Sequence, residues 1–153
     1  MLLAEALAER AQAQERLNSL HERLLAVVRV QEGDTPDEDP QELLRELDGV
    51  AGRIDELVQA INATNIATAF DEKRNLMEAL ALRDGLLRKR RIYHDLAQRA
   101  GARSDRYSRN EIKFVSTIPV ADMRKRVDDL SKQYRELDTR IQQLNWNTEL
   151  KNG

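Results

Sequence analysis

Cysteine is absent from this 153-residue sequence, and histidine and aromatic residues are scarce. Without cysteine the chain has no disulfide, no thiolate metal ligand and no thiol nucleophile. The two histidines, His21 and His94, lack the Glu-x-x-His spacing of di-iron helical bundles. The longest apolar run, Leu24 to Val28, is far shorter than a membrane-spanning helix. We therefore expect no metal, no cofactor and no membrane partner.

Charged residues make up 34% of the sequence and aromatic residues only 4%, a composition typical of long amphipathic helices. The length suits one domain, so we expect a single helical-bundle domain over residues 1–153. Glu5 stands where a secretion signal would carry basic residues, and the lack of cysteine is compatible with a reducing compartment. These features predict a cytoplasmic protein.

Apolar residues recur at alternating steps of four and three, which is the a/d spacing of helices that pack on helices. The most regular stretch forms an apolar seam with these members: Met123, Val127, Leu130, Tyr134, Leu137, Ile141 and Leu144. Matching frames cover residues 17–27 and 43–61, and Asp71 and Gly101 can begin and stop a further helix. The predicted fold class is mainly α, an antiparallel bundle of about four long helices with coiled-coil packing.

A small β element is also expected, because β-branched and aromatic residues cluster near 28–32 and 111–118. We pair these two strands with each other, since a lone strand leaves its backbone groups unsatisfied.

Two features of the helices predict local weakness or close packing. Ala6, Arg10 and Ala13 make the first half of the first frame weakly apolar, so we expect that end to be mobile or dependent on another subunit. Gly49 and Gly52 interrupt the second frame, and we expect another backbone to come close to them.

The net charge of -2 hides an uneven distribution of charge. Residues 30–60 contain ten acidic residues and two arginines, whereas residues 83–113 contain ten basic and four acidic residues. The acidic stretch includes a turn-rich loop at 31–40, and the basic stretch runs into a loop or strand at 101–119. This arrangement predicts mutual attraction, within one chain or between subunits.

Arg83 and Asp84 fall where the apolar stripe of the third helix should continue. A charge at a core position is costly unless it is paired, so we place both in a polar layer with Asn62 and Asn65. Such a layer can bind a small anionic ligand or fix helix register, and we favour the register.

Arg106, Tyr107, Arg109 and Lys113 form a candidate surface for an anion or a partner, because cations and an aromatic ring can hold a polyanion such as RNA. The preceding cations, at 88–91, wrap around all faces of a helix, so nucleic-acid binding is not favoured.

Trp146, flanked by Asn145 and Asn147, forms a candidate cluster at the end of the seam. A tryptophan among amides can anchor a partner or fill the end of a bundle core, and we favour the core.

Five phrases occur in order along the chain: VQEGDTPDEDP from Val30, INATN from Ile61, ALALRD from Ala79, RYSRNEIKF from Arg106 and YRELDTRIQQLNWNTEL from Tyr134. In this order they resemble a small bacterial family of unknown function that is described as septicolysin-like, over essentially the whole chain. The resemblance implies a helical, oligomeric cytoplasmic protein with no established activity. The sequence shows neither the secretion signal nor the membrane-inserting segment that a cytolysin would need.

No set of residues here defines a reaction, so we predict a protein that is not an enzyme. The favoured function is a structural or protein-interaction bundle that assembles into a homo-oligomer through its seam and its charged segments. The first alternative is a module that binds RNA or another polyanion through residues 88–113. The second is a protein that binds a small ligand or anion in the polar layer around Arg83.

Overall fold

Four long helices make up most of the computed structural model, which describes residues 1–102 and 112–151. They are α1 (Leu3–Val27), α2 (Pro40–Ala67), α3 (Leu76–Ala100) and α4 (Val120–Asn147). The prediction of a mainly α-helical bundle is therefore confirmed. The chain divides into a first unit, Met1–Leu76 with the segment that begins at Gln142, and a second unit, Met77–Ile141. The prediction of one domain stays a prediction.

The connection between α2 and α3 is a turn whose own residues accept the hydrogen bonds of its backbone amides. α3 begins at Leu76, so the prediction that Asp71 caps this helix is wrong. Asp71 Oδ1 instead accepts hydrogen bonds from the amides of Lys73 and Arg74, at 2.9 and 2.8 Å. Aspartate favours such turns because its short side chain reaches amides two and three residues ahead.

In the first unit, α1 and α2 pack in antiparallel fashion. Ion pairs join Arg16 to Glu46 and Arg23 to Glu38, so later residues of α1 meet earlier residues of α2. The apolar frames of both helices supply the core between them, whose members are Leu20, Leu24, Val27, Leu43, Leu47 and Val50.

The amino-terminal end of α1 is firmly held, which corrects the expectation of a weakly packed end. Leu3 and Ala6 are both fully buried. The Leu3 amide donates to the Thr148 carbonyl oxygen at 2.8 Å, and the Leu150 amide donates to the Met1 carbonyl oxygen at the same distance. These two hydrogen bonds hold the segment after α4 against the start of α1.

In the second unit, α3 and α4 also pack in antiparallel fashion. Arg83 pairs with Asp138 near one end, and the Arg126 guanidinium lies 4.4 Å from the centre of the Tyr93 ring further along. At the other end, α3 stops at Gly101 as predicted. A β-carbon on this glycine would lie 3.2 Å from both the Ala97 carbonyl oxygen and the Arg124 side chain.

The apolar seam of α4 faces inward. All seven seam residues are buried or half-buried, and Leu130 and Ile141 are buried. The periodicity of the sequence thus identifies the packed side of this helix correctly.

The predicted β element is wrong, because the described part of the chain contains no sheet. Residues 28–32 form a loop after α1, residues 112–118 form an extended loop before α4, and residue 111 lies outside the described residues. Val28 is 61% exposed, and Ile112 and Phe114 are each 92% exposed. High β propensity does not produce a strand when no neighbouring strand accepts its hydrogen bonds.

No helix in the described ranges is long and apolar enough to span a membrane.

Gly49 and Gly52 do not lie against another part of the chain, so the expectation of a close backbone is wrong. A β-carbon at either position would meet nothing within 4 Å. Each glycine therefore carries the entropy cost of its flexible backbone in a helix without a packing benefit.

Replacing Gly49 or Gly52 with Ala is expected to raise the free energy of unfolding by about 0.5–1 kcal/mol, because alanine loses less backbone entropy on folding. Chemical denaturation of each variant measures this change. The matched control is Gly101→Ala, which crowds Ala97 and Arg124 and should destabilise the fold. A loss of stability in the first two variants would show that another molecule packs on this face of α2.

Candidate functional site

The proposed polar layer contains a charge pair that the sequence did not reveal. Arg83 Nη1 donates a hydrogen bond to Asp138 Oδ1 on α4 at 2.8 Å, and these side chains are 23% and 28% exposed. Asp84 is 63% exposed and lies 3.7 Å from Arg83. The charge of Arg83 thus has a carboxylate partner on the facing helix, which favours the register role over an anion site.

The two asparagines of that layer lie in the first unit. Asn62 is exposed and Asn65 is half-buried on α2. The fully buried polar residue there is Thr64, whose Oγ1 donates to the Ala60 carbonyl oxygen at 2.7 Å and accepts from the Lys151 amide at 2.9 Å. This hydroxyl ties the segment after α4 to α2, which is a structural function.

The cluster at the end of α4 is arranged differently from the favoured interpretation. Trp146 is 61% exposed and does not fill the core of the chain. Asn145 is buried instead, and its amide nitrogen lies 3.4 Å from Gln142 Oε1. Asn147 donates to the Gln143 carbonyl oxygen at 2.6 Å. Asn145 follows the seam residue Ile141 by four positions, so the helical period, rather than side-chain size, decides which residue is buried.

Most of the predicted basic surface lies outside the described residues. This applies to Arg106, Tyr107 and Arg109, whereas Lys113 is described and exposed.

On α3 itself, four exposed cations form no ion pair with any described residue, namely Arg88, Lys89, Arg91 and Arg99. Arg90 donates to the Ser131 hydroxyl at 2.6 Å. The positive charge of the second unit is therefore only partly compensated.

The acidic stretch is partly compensated inside the first unit. Glu38 pairs with Arg23 on α1, and the hydrogen bonds from this guanidinium lower the pKa of the Glu38 carboxyl. Glu9 accepts two hydrogen bonds from Arg53, at 2.7 and 3.1 Å, which lower the pKa of Glu9 in the same way. These shifts hold both carboxyls ionised at neutral pH, which suits an ion pair and not a general acid.

Neither a metal nor a buried ligand is called for by the described side chains. They contain no group of three or more His, Asp and Glu residues arranged for a metal ion. Every buried side-chain nitrogen or oxygen among them has a hydrogen-bond partner. A polar surface pocket of about 290 Å³ lies at the loop after α1, where Val30, Asp34 and Asp37 are among its lining residues.

An apolar groove in the second unit is a candidate site that sequence analysis missed. It has a volume of about 450 Å³ and lies between the end of α3 and the loop before α4. Its lining residues are Leu96, Arg99, Ala100, Ala102, Phe114, Val115, Ser116, Thr117 and Ile118. Phe114 is 92% exposed and Val115 is 79% exposed. The β-branched and aromatic residues here, which predict a strand, equally fit a surface that binds another chain.

Comparisons with known proteins give a family and a fold but no activity. A model described as "Family of unknown function (DUF6847)" matches residues 10–150. The chain is similar to a functionally unknown conserved protein from Corynebacterium diphtheriae, whose crystal structure has been determined. The two sequences are 52% identical, the TM-score is 0.93, and the match covers 99% of each chain. A comparison with curated proteins finds no match. The expectation of a family of unknown function is confirmed, whereas the septicolysin-like label stays a prediction.

A double-mutant cycle with Arg83→Gln and Asp138→Asn is expected to give a coupling of about 1–2 kcal/mol, because the charge-assisted hydrogen bond between them is partly shielded from water. The control pair is Lys132 and Glu136, which are 4.0 Å apart and highly exposed. Its coupling should stay below about 0.5 kcal/mol. Equal couplings for the two pairs would argue against a register role for Arg83.

Acid denaturation tests the pair formed by Glu9 and Arg53. Since the folded-state pKa of Glu9 is lowered, the pair stabilises the fold above the unfolded pKa of about 4.3, and this stability is lost as the pH falls through the folded pKa. The melting temperatures of the wild type and of Glu9→Gln, which keeps the ion pair between Arg53 and Glu56, should differ most near neutral pH and converge in strong acid. A constant difference across the titration would contradict this assignment.

Proposed function

The chain belongs to the family of unknown function (DUF6847), and we propose that it is a non-catalytic interaction module that assembles with copies of itself. The observation that carries this proposal is the exposed apolar segment before α4, in which Ile112, Phe114 and Val115 are 79–92% exposed. Three large apolar side chains this exposed within four residues are uncommon on a protein that stays monomeric. Such exposure is typical of a surface that becomes buried in a complex.

The energy available from this segment sets the expected affinity. Burying a Val, Ile or Phe side chain contributes roughly 1.5–3 kcal/mol, so the three residues together supply roughly 5–9 kcal/mol. Part of this is offset by the loss of translational, rotational and loop freedom on association. We therefore expect a dissociation constant in the micromolar range.

An enzymatic function has less support. Arg83 is compensated by Asp138, and the carboxyls of Glu9 and Glu38 are held ionised by arginines. These groups support packing, and a general acid or base works best at neutral pH when its pKa lies near 7. The proposal accordingly includes no reaction, cofactor or metal, and it places the protein in the cytoplasm, as composition suggests.

Polyanion binding is a second candidate function, favoured by the exposed cations of α3. Arg88, Lys89, Arg91 and Arg99 have no carboxylate partner among the described residues. RNA affinity that falls steeply with salt would support this alternative.

Sedimentation velocity over about 1–100 µM should show the wild type associating, and Phe114→Ser/Val115→Ser should weaken association at least tenfold, since the loss of two buried side chains exceeds 1.4 kcal/mol. The control is Ile92→Ser, a residue of α3 that is 55% exposed and does not line the groove. This variant should associate like the wild type.

A wild type that remains monomeric throughout this range would overturn the proposed function. If it also binds RNA in a salt-dependent manner, the polyanion alternative takes its place.

A further inference from the structure

We propose that the groove of the second unit receives the loop between α1 and α2, residues 28–37, of a second copy of this chain. This inference rests on the proposed self-assembly and names the two surfaces that meet. It is carried by chemical complementarity, since the groove combines apolar side chains with cations and the loop combines apolar side chains with carboxylates.

The groove selects for a partner that is both apolar and acidic. Leu96, Phe114 and Val115 provide its apolar surface, and none of the described residues that line it is acidic. Arg99 lies in the lining, and the Arg124 guanidinium is beside Gly101, next to two further lining residues. An apolar ligand alone would leave these two cations uncompensated, whereas a carboxylate beside it would pair with them.

The α1–α2 loop carries the matching groups in exposed positions. Val28 and Val30 are 61% and 44% exposed. Glu32, Asp34 and Asp37 are exposed and form no ion pair with any described residue. These three carboxylates outnumber the one cation of the loop, the exposed Arg29, so the loop presents net negative charge to a partner.

The neighbouring acids are already occupied. Glu38 pairs with Arg23, and Asp39 Oδ1 accepts from the Gln41 amide at 2.9 Å to cap α2. The available negative charge is therefore confined to the part of the loop that precedes Glu38.

The backbone of the loop keeps these groups close together. Gly33 has a φ of 91°, a left-handed backbone conformation that residues other than glycine rarely adopt. The Asp34 amide donates a hydrogen bond to the Gln31 carbonyl oxygen at 3.0 Å. This tight turn lies between Val30 and the acidic residues that follow. Val30, Asp34 and Asp37 also line one surface pocket, so the loop presents apolar and negative groups together.

Every copy has one loop and one groove, so two copies that exchange loops would make the contact twice. This doubling lets two modest contacts produce one stable complex, which fits the limited apolar energy of the groove.

The test uses two charge-reversed variants, Arg99→Glu/Arg124→Glu and Asp34→Lys/Asp37→Lys. Each variant alone places like charges across both contacts, so its dissociation constant, measured by sedimentation velocity, should rise at least tenfold. When the two variants are mixed in equal amounts, each groove meets a loop of opposite charge. The mixture should recover association close to that of the wild type.

Circular dichroism must show wild-type helix content in both variants, and Arg99→Glu alone replaces the double variant if Arg124→Glu perturbs the fold. Two results would overturn the inference: separate variants that associate like the wild type, or a mixture that does not recover. If Phe114→Ser/Val115→Ser still abolishes association in either case, self-assembly stands and only the identity of the occupant is wrong. A monomeric wild type would remove both proposals.

Discussion

The antiparallel packing of apolar helix faces within each unit is the constraint on which the rest of the structure depends. In the first unit it brings the leucines of α1 and α2 together and aligns the ion pairs at their edges. In the second unit it sets Arg83 opposite Asp138. The register of the packed helices decides which charged residues face each other, and those residues then form the ion pairs. The ion pairs are consequences of the packing and refine it.

The same constraint explains why the loop before α4 is exposed. Helix pairing uses the seam of α4 from Met123 onward, so Phe114 and Val115 precede the packed region and gain no cover from it. Their apolar surface and the uncompensated cations of α3 lie in the same unit. A surface with both properties favours an acidic and apolar partner over a purely hydrophobic one. This combination connects the architecture to the proposed function.

Sequence periodicity predicted the helices and the inward face of α4. Helix packing imposes a regular spacing of apolar residues, and this spacing is visible in a single sequence. It could not predict that Asp138 pairs with Arg83, since 55 residues separate them and either could have met another charge. The burial of Leu3 depends on hydrogen bonds to the segment after α4, which no local pattern reveals. The groove was missed because the β propensity of residues 112–118 was assigned to a sheet that the described chain does not form.

The most direct test of self-assembly through the groove measures the solvent accessibility of Phe114 in the wild-type protein. Covalent footprinting with mass spectrometry monitors this accessibility as the protein concentration rises. Assembly through the groove predicts that labelling of Phe114 falls as the protein associates. Ile92, at 55% exposure and outside the groove, serves as the internal reference and should keep its labelling. Labelling of Phe114 that is unchanged across the same range of concentration would contradict the account.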